Sequence, residues 1–150
     1  MQQQDPNYGR PEESRLTRVP AGSTMSLQDE RTWSTLAHLS VLLSIVTGVG
    51  GLIAAFVIWL VYKDKSQRVA FHALQSLWYQ VAWIVILAVG WTVTAVLTLV
   101  LIGFLLIPVM AIASLVPLVH QCYAAYKVNQ GVDYRYPFIA DLVDSGRRFA

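Results

Sequence analysis

The chain has 150 residues, a net charge of +2 and 55% hydrophobic residues. The charge is too small to point to nucleic acid, and a single cysteine, Cys122, excludes an intrachain disulfide. Two stretches, Thr32–Tyr62 (31 residues) and Val69–Tyr126 (58 residues), contain no Asp, Glu, Lys or Arg, and the longest stretch outside them, Met1–Arg31, is too short and too polar for a separate soluble domain of at least about 50 residues.

Residues 1–28 are rich in Gln, Pro, Gly, Ser and mixed charge, and Leu16, Val19 and Leu27 are too sparse to bury a core. This composition predicts a disordered tail. A cleavable signal peptide would place its apolar region within roughly the first 15–30 residues, whereas here the apolar run starts only at Trp33; insertion through an internal helix is expected. Asp29-Glu30-Arg31-Thr32 reads as a helix start, with acids in the first turn.

A charged side chain at mid-bilayer costs about 2.5–3.5 kcal/mol on insertion scales, so both uncharged runs read as membrane-embedded. As one helix the first run would be roughly 46 Å long at about 1.5 Å per residue, against a hydrocarbon core of about 30 Å. Gly48-Val49-Gly50-Gly51 near its centre predicts a turn, with helices over about 33–46 and 52–63. Each is short for a full crossing, so this first hairpin either crosses or stays shallow and re-entrant. The second run holds two spans, about 67–101 and 106–129, with Gly103 and Pro108 marking the turn and Pro117 bending the later helix. Gly131 is the expected helix stop. Beyond it, Phe138, Ile139, Leu142 and Val143 recur at helical spacing after Pro137 and predict a short amphipathic helix on the membrane surface. The fold class is therefore all-α and integral to the membrane: four helices in two hairpins over 29–131, flanked by tails 1–28 and 132–150.

Charge orients these spans. Arg10, Arg15, Arg18 and Arg31 precede the first run; Lys63, Lys65 and Arg68 lie between the runs; Lys127, Arg135, Arg147 and Arg148 follow the second. With two hairpins all eleven basic residues share one side, and the positive-inside rule then makes both termini cytoplasmic.

All three histidines lie inside the uncharged runs. His38 is seven residues from Arg31, His72 four from Arg68, and His120 seven from Lys127. At about 1.5 Å per residue they sit roughly 6–10 Å inward of the charged boundary, and Gln75 and Gln121 fall in the same slab. Arg68, His72, Gln75 and Tyr79 share one helical face. The sequence thus predicts a polar layer of His38, His72, Gln75, His120 and Gln121. Its members either hydrogen-bond across helices or line a path for a solute, proton or polypeptide. Three histidines could also ligate zinc, but there is no His-x₃-His pair and Cys122 completes no recognisable ligand spacing, so no metal or cofactor is assigned. Cys122, without thiolate-stabilising neighbours in sequence, reads as an inert thiol. The runs contain no Asp or Glu for a carboxylate relay or protease. Trp33, Trp59, Tyr62, Trp78, Tyr79, Tyr123 and Tyr126 cluster near the charged boundaries as an interfacial belt, and Trp91 lies deeper. The glycines at 48–51 lack the Lys and Ser/Thr of a phosphate loop.

Four segments carry a family resemblance: Trp33-x-x-Leu36-x-His38-Leu39-Ser40; Ile58-Trp59-Leu60 before the charged patch; Arg68-x-x-Phe71-His72-Ala73-x-Gln75-Ser76-Leu77; and Tyr126-Lys127-x-Asn129-x-Gly131 followed by Tyr134-x-Tyr136-Pro137. Over about 30–140 the chain resembles the small four-helix prokaryotic membrane proteins of unassigned function, a family distantly similar to the twenty-kilodalton subunit of the chloroplast inner-envelope import translocon. The resemblance implies two hairpins and no catalytic residue. Asp5, Glu12 and Glu13 in the N-terminal tail are foreign to a transit peptide, so the expected location is a prokaryotic plasma membrane. The expected function is non-enzymatic: lipid-embedded, acting through protein partners or as a homo-oligomer, in protein insertion, translocation or membrane homeostasis, with no nucleic acid. A small oligomeric transporter or channel is the alternative.

Overall fold

The computed structural model describes residues 24–147, the side chain of Arg147 excepted. The expected tail therefore lies, for residues 1–23, outside the described residues. Those described are helical without strands: α1 (Leu27–Leu39), α2 (Val41–Thr47), α3 (Gly50–Tyr62), α4 (Gln67–Thr98), α5 (Gly103–Asn129) and α6 (Ile139–Arg147). There are six helical segments where the sequence predicts four and a surface helix. The first arm is divided at Ser40, which keeps right-handed helical angles.

Local chemistry accounts for most boundaries. Ser26 caps α1 by accepting from the Asp29 N–H, so the helix begins at Leu27, inside the segment expected as tail. Gly48, at φ 77, ends α2, and α3 starts two residues later. Ser66 caps α4, accepting from the Val69 N–H. The α4–α5 turn falls at 99–102, and α5 opens at Gly103 rather than near Pro108. A Cβ at Gly103 would run into Thr98 and the Thr94 carbonyl, so only glycine lets α5 begin this close to α4. Pro108 and Pro117 both lie inside α5, where each removes one backbone donor. Gly131, at φ 87, follows the end of α5.

Helix α1 packs against α4 and α5, α3 against α4, and α6 against the start of α4. Among the described residues α4 and α5 are long and apolar enough to cross a membrane, and only 6% and 11% of their most apolar windows are buried. A soluble protein would bury such windows; here Val85, Val89, Val96, Leu105, Ile112 and Val119 face outward. The interior is the polar part. Glu30, Ser34, His38, His72, Gln75, Ser76 and Gln121 are all fully buried. Apolar outside and polar inside is the pattern a bilayer imposes, since lipid solvates the first and not the second.

Candidate functional site

The five residues expected to form a polar layer are brought into one connected assembly, though not by contacting one another alone. Helix α1 contributes His38, α4 contributes His72, Gln75, Ser76, Tyr79 and Gln80, and α5 contributes His120 and Gln121. The fourth wall is the strap 131–138 between α5 and α6. It folds back under the helices and supplies Asp133, Tyr134 and Tyr136.

One branch is a directed hydrogen-bond chain. Tyr136 Oη lies 3.2 Å from His38 Nδ1, His38 Nε2 lies 3.2 Å from His72 Nδ1, and His72 Nε2 lies 3.4 Å from Asp133 Oδ1. Its polarity follows from its ends. Burial raises the pKa of the Tyr136 phenol, which stays protonated and donates to His38. The hydrogen bond from His72 lowers the pKa of Asp133, an effect opposed by burial and reinforced by the Arg68 charge, so this carboxylate accepts. Both imidazoles are then neutral in this chain, each with its proton on Nε2. Arg68 Nε stands 2.7 Å from Asp133 Oδ1, a short charge contact rather than an aligned hydrogen bond, and Arg68 Nη2 donates to the Gly131 carbonyl at 3.2 Å.

The linkage has a definite sign. A lowered carboxylate pKa contributes stability that is fully present above the unfolded value, about 3.9, and is lost as pH falls through the lower folded value. Asp133→Asn is expected to remove this acid limb. Chemical denaturation in detergent at pH 7 and again at pH 3 should show wild type more stable than the variant at the first and the two converging at the second. A constant gap would show that Asp133 acts without its charge.

The second branch centres on the strap backbone. Gln75 Nε2 donates to the Tyr134 carbonyl at 3.0 Å, and Gln75 Oε1 accepts from the Tyr136 N–H at 3.2 Å. One side-chain amide therefore satisfies the extended strap as a neighbouring strand would. Above it, Ser76 Oγ lies 2.8 Å from the Ala37 carbonyl and 2.9 Å from Gln121 Oε1, and Gln80 Nε2 donates to Ser40 Oγ and Ser76 Oγ.

His120 stands apart from the other two histidines. It is partly buried, with Nδ1 2.7 Å from Tyr79 Oη and Nε2 2.7 Å from Tyr134 Oη. It joins the rest through rings: Tyr79 stacks on Tyr136 at 4.2 Å, and His120 meets Tyr136 edge-on at 5.0 Å.

Sequence reasoning missed Ser76, Gln80, Asp133 and the tyrosines of the strap as members of the layer. Gln80 was within reach, one further step of four beyond Ser76. Glu30, expected as a first-turn acid, is instead fully buried, and Ser66 Oγ donates to its Oε1 at 2.5 Å. That bond fastens the start of α1 to the start of α4. Trp91, which lies deeper than the interfacial belt, donates from Nε1 to Ser114 Oγ at 3.3 Å and links α4 to α5. Among the described residues no group of three or more His, Cys, Asp or Glu is arranged to hold a metal ion.

A family model for magnetosome magnetite crystal formation proteins (MamF/MmsF) matches residues 29–143, from the first turn of α1 into α6. No curated protein and no solved structure matches the chain. The match covers all four segments that carried the resemblance drawn from sequence, but it gives no support to the link with the chloroplast import translocon. The chain belongs to the magnetosome magnetite crystal formation family.

Proposed function

We propose that this member of the magnetosome magnetite crystal formation family is a non-enzymatic integral membrane protein that acts on crystal formation through protein partners or self-association. The observation that carries the reading is where the polar groups go. The histidines, Gln75 and the strap tyrosines bond to one another, so the layer serves to hold the strap onto the helices. In this reading α1–α2 with α3 form the first hairpin, and α4 with α5 form the second. Residues 29–131 are the membrane domain, both termini are cytoplasmic, and α6 rests on the membrane surface. Ala140 and Val143 face the protein while Phe138 and Leu142 face outward, which supports that position for α6.

This topology bears on how such a protein would influence a mineral. The turns at 48–49 and 99–102 contain no Asp or Glu. A crystal on that side of the membrane would meet no carboxylate from this chain, so its influence passes through other proteins or through how copies pack in the bilayer.

The experiment is complementation joined to labelling. In a magnetite-forming bacterium lacking its own members of the family, the chain should restore crystal size, and crosslinking in those cells should trap it with a partner or a second copy. Single cysteines at Asp64 and Gln130, in a Cys122→Ser background, should resist an impermeant thiol reagent applied to intact cells expressing the chain in the plasma membrane, while one at Leu101 should react. Restored crystals with a strictly solitary chain, or reaction at Asp64, would overturn the proposal. Flux of a solute through vesicles of purified protein would favour a transporter instead.

A further inference from the structure

Beside the polar layer, on the side away from the strap, lies a cleft of about 350 Å³ between α2, α4 and α5. Ile45, Ile84, Leu87 and Leu118 form its walls, and Gln80 and Gln121 lie at its polar end. It is distinct from the contacts that hold the strap, and the proposed function makes no use of it.

Two facts about the glutamines stand out. Gln121 is fully buried and its Nε2 has no hydrogen-bond partner. Turning the amide over does not cure this. Ser76 has one hydroxyl hydrogen between two acceptors, so a reversed Gln121 could donate to Ser76 Oγ, but its oxygen would then be the atom left over. Gln80 spends its Nε2 on Ser40, Ser76 and Gln121, and its Oε1 accepts no hydrogen bond among the described residues. The cleft thus combines apolar walls with leftover hydrogen-bonding capacity at one end. An unpaired polar atom in such surroundings is costly, and a matching ligand group relieves that cost.

Depth restricts what can fill it. Gln80 lies twelve residues beyond Arg68 on α4, about 18 Å along the helix at about 1.5 Å per residue. That is well inside the hydrocarbon core, where a charged head is strongly disfavoured and the walls offer no counter-charge. The head must be neutral. It must also donate to Gln80 Oε1. A hydroxyl meets both conditions. The volume equals about a dozen waters at about 30 Å³ each, room for a small head and the first part of one chain, with the rest running out into the bilayer.

We propose that this cleft is a binding site for a neutral, hydroxyl-headed membrane lipid of the diacylglycerol type, its hydroxyl donating to Gln80 Oε1 beside Gln121 and its acyl chain lying along Ile84, Leu87 and Leu118. The site selects against phospholipids by excluding their charge.

The test uses the full chain in phosphatidylcholine nanodiscs. Three photoreactive lipids carry the same diazirine on the acyl chain: a diacylglycerol, its acetate ester with the hydroxyl blocked, and phosphatidylcholine. The diacylglycerol should label peptides containing Ile84 or Leu118 about tenfold more than either of the others, roughly one buried hydrogen bond's worth of affinity. Gln80→Leu should reduce labelling to the level of the acetate. Because Gln80→Leu also removes bonds to Ser40 and Ser76, Leu87→Trp serves as a second variant: it fills the cleft without touching the polar layer and should abolish labelling while the unfolding midpoint holds. Equal labelling by all three lipids, or labelling indifferent to Leu87→Trp, would overturn the proposal. So would crosslinking of this face to a second copy, or a polar end occupied by water alone.

Discussion

Replacing Gln75 with leucine is expected to cost more stability than any other single change in the polar layer. The amide of Gln75 donates to the Tyr134 carbonyl and accepts from the Tyr136 N–H. Leucine leaves both backbone groups without a partner while Tyr136 remains buried. An unsatisfied buried group costs about 1–3 kcal/mol, so two imply a loss on the order of 2–6 kcal/mol. Measured interhelical hydrogen bonds in membranes run lower, about 0.6–1.7 kcal/mol, because the unfolded chain in the bilayer finds other partners. Gln75 bonds to a strap outside the apolar spans, so the larger figure applies better here. Gln121→Leu is the comparison. It loses only side-chain partners and removes an atom that has none, so its cost should stay near or below about 1 kcal/mol. Denaturation midpoints in one detergent rank the two. Finding Gln121 the costlier position would mean that the strap is not what the layer holds.

Some of this arrangement was legible in the sequence because it rests on local signals. The uncharged runs locate α4 and α5, Gly48 marks the first turn, and Gly131 follows the last turn of α5. The depth argument gathers the histidines and glutamines, since a boundary of Arg and Lys fixes how far along a helix each one lies. It could not pair them. His38 and His72 meet while His120 turns to Tyr79 and Tyr134, and which way each faces depends on how α1 sits between α4 and α5. Periodicity within one helix carries no information about that.

The strap was the larger omission. Val132, Tyr134 and Tyr136 alternate with Asp133 and Arg135 after a helix stop, which suits an extended strap, but a period of two does not say that the strap folds inward. The signal lay on α4, where His72 and Gln75, on one face within two turns, need partners that the neighbouring apolar spans could not all provide. Glu30 illustrates the same limit. An acid in a first turn is usually explained by the helix dipole, and only the structure pairs it with Ser66, 36 residues away. The one segment more than expected arises from Ser40, which divides an arm that hydropathy alone reads as continuous, and whose hydroxyl donates to the Ala37 carbonyl.

The second large effect is expected at Gly51, and it runs against helix propensity. By propensity alone, alanine should favour α3 by about 1 kcal/mol. The surroundings reverse the sign. A Cβ on Gly51 would stand 2.5 Å from the Ser40 carbonyl oxygen, 2.5 Å from Ser44 Oγ and 2.9 Å from Gln80 Oε1. The first of these is backbone and cannot swing aside, so α3 must move away from the α1–α2 arm. That movement also strains the Gly51 N–H bond to Ser44 Oγ, now 3.1 Å, and shifts the wall beside Gln80. Overpacking of this kind costs about 1–3 kcal/mol. Gly146, in α6, is the control, because nothing lies within 4 Å of a Cβ there and only the propensity gain remains. Thermal unfolding followed by circular dichroism should therefore show Gly51→Ala lowering the midpoint and Gly146→Ala leaving it unchanged or raised. A rise at both positions would mean that α3 and the first arm do not make the close approach on which the hairpin depends, and that the first uncharged run behaves in the bilayer as independent helices.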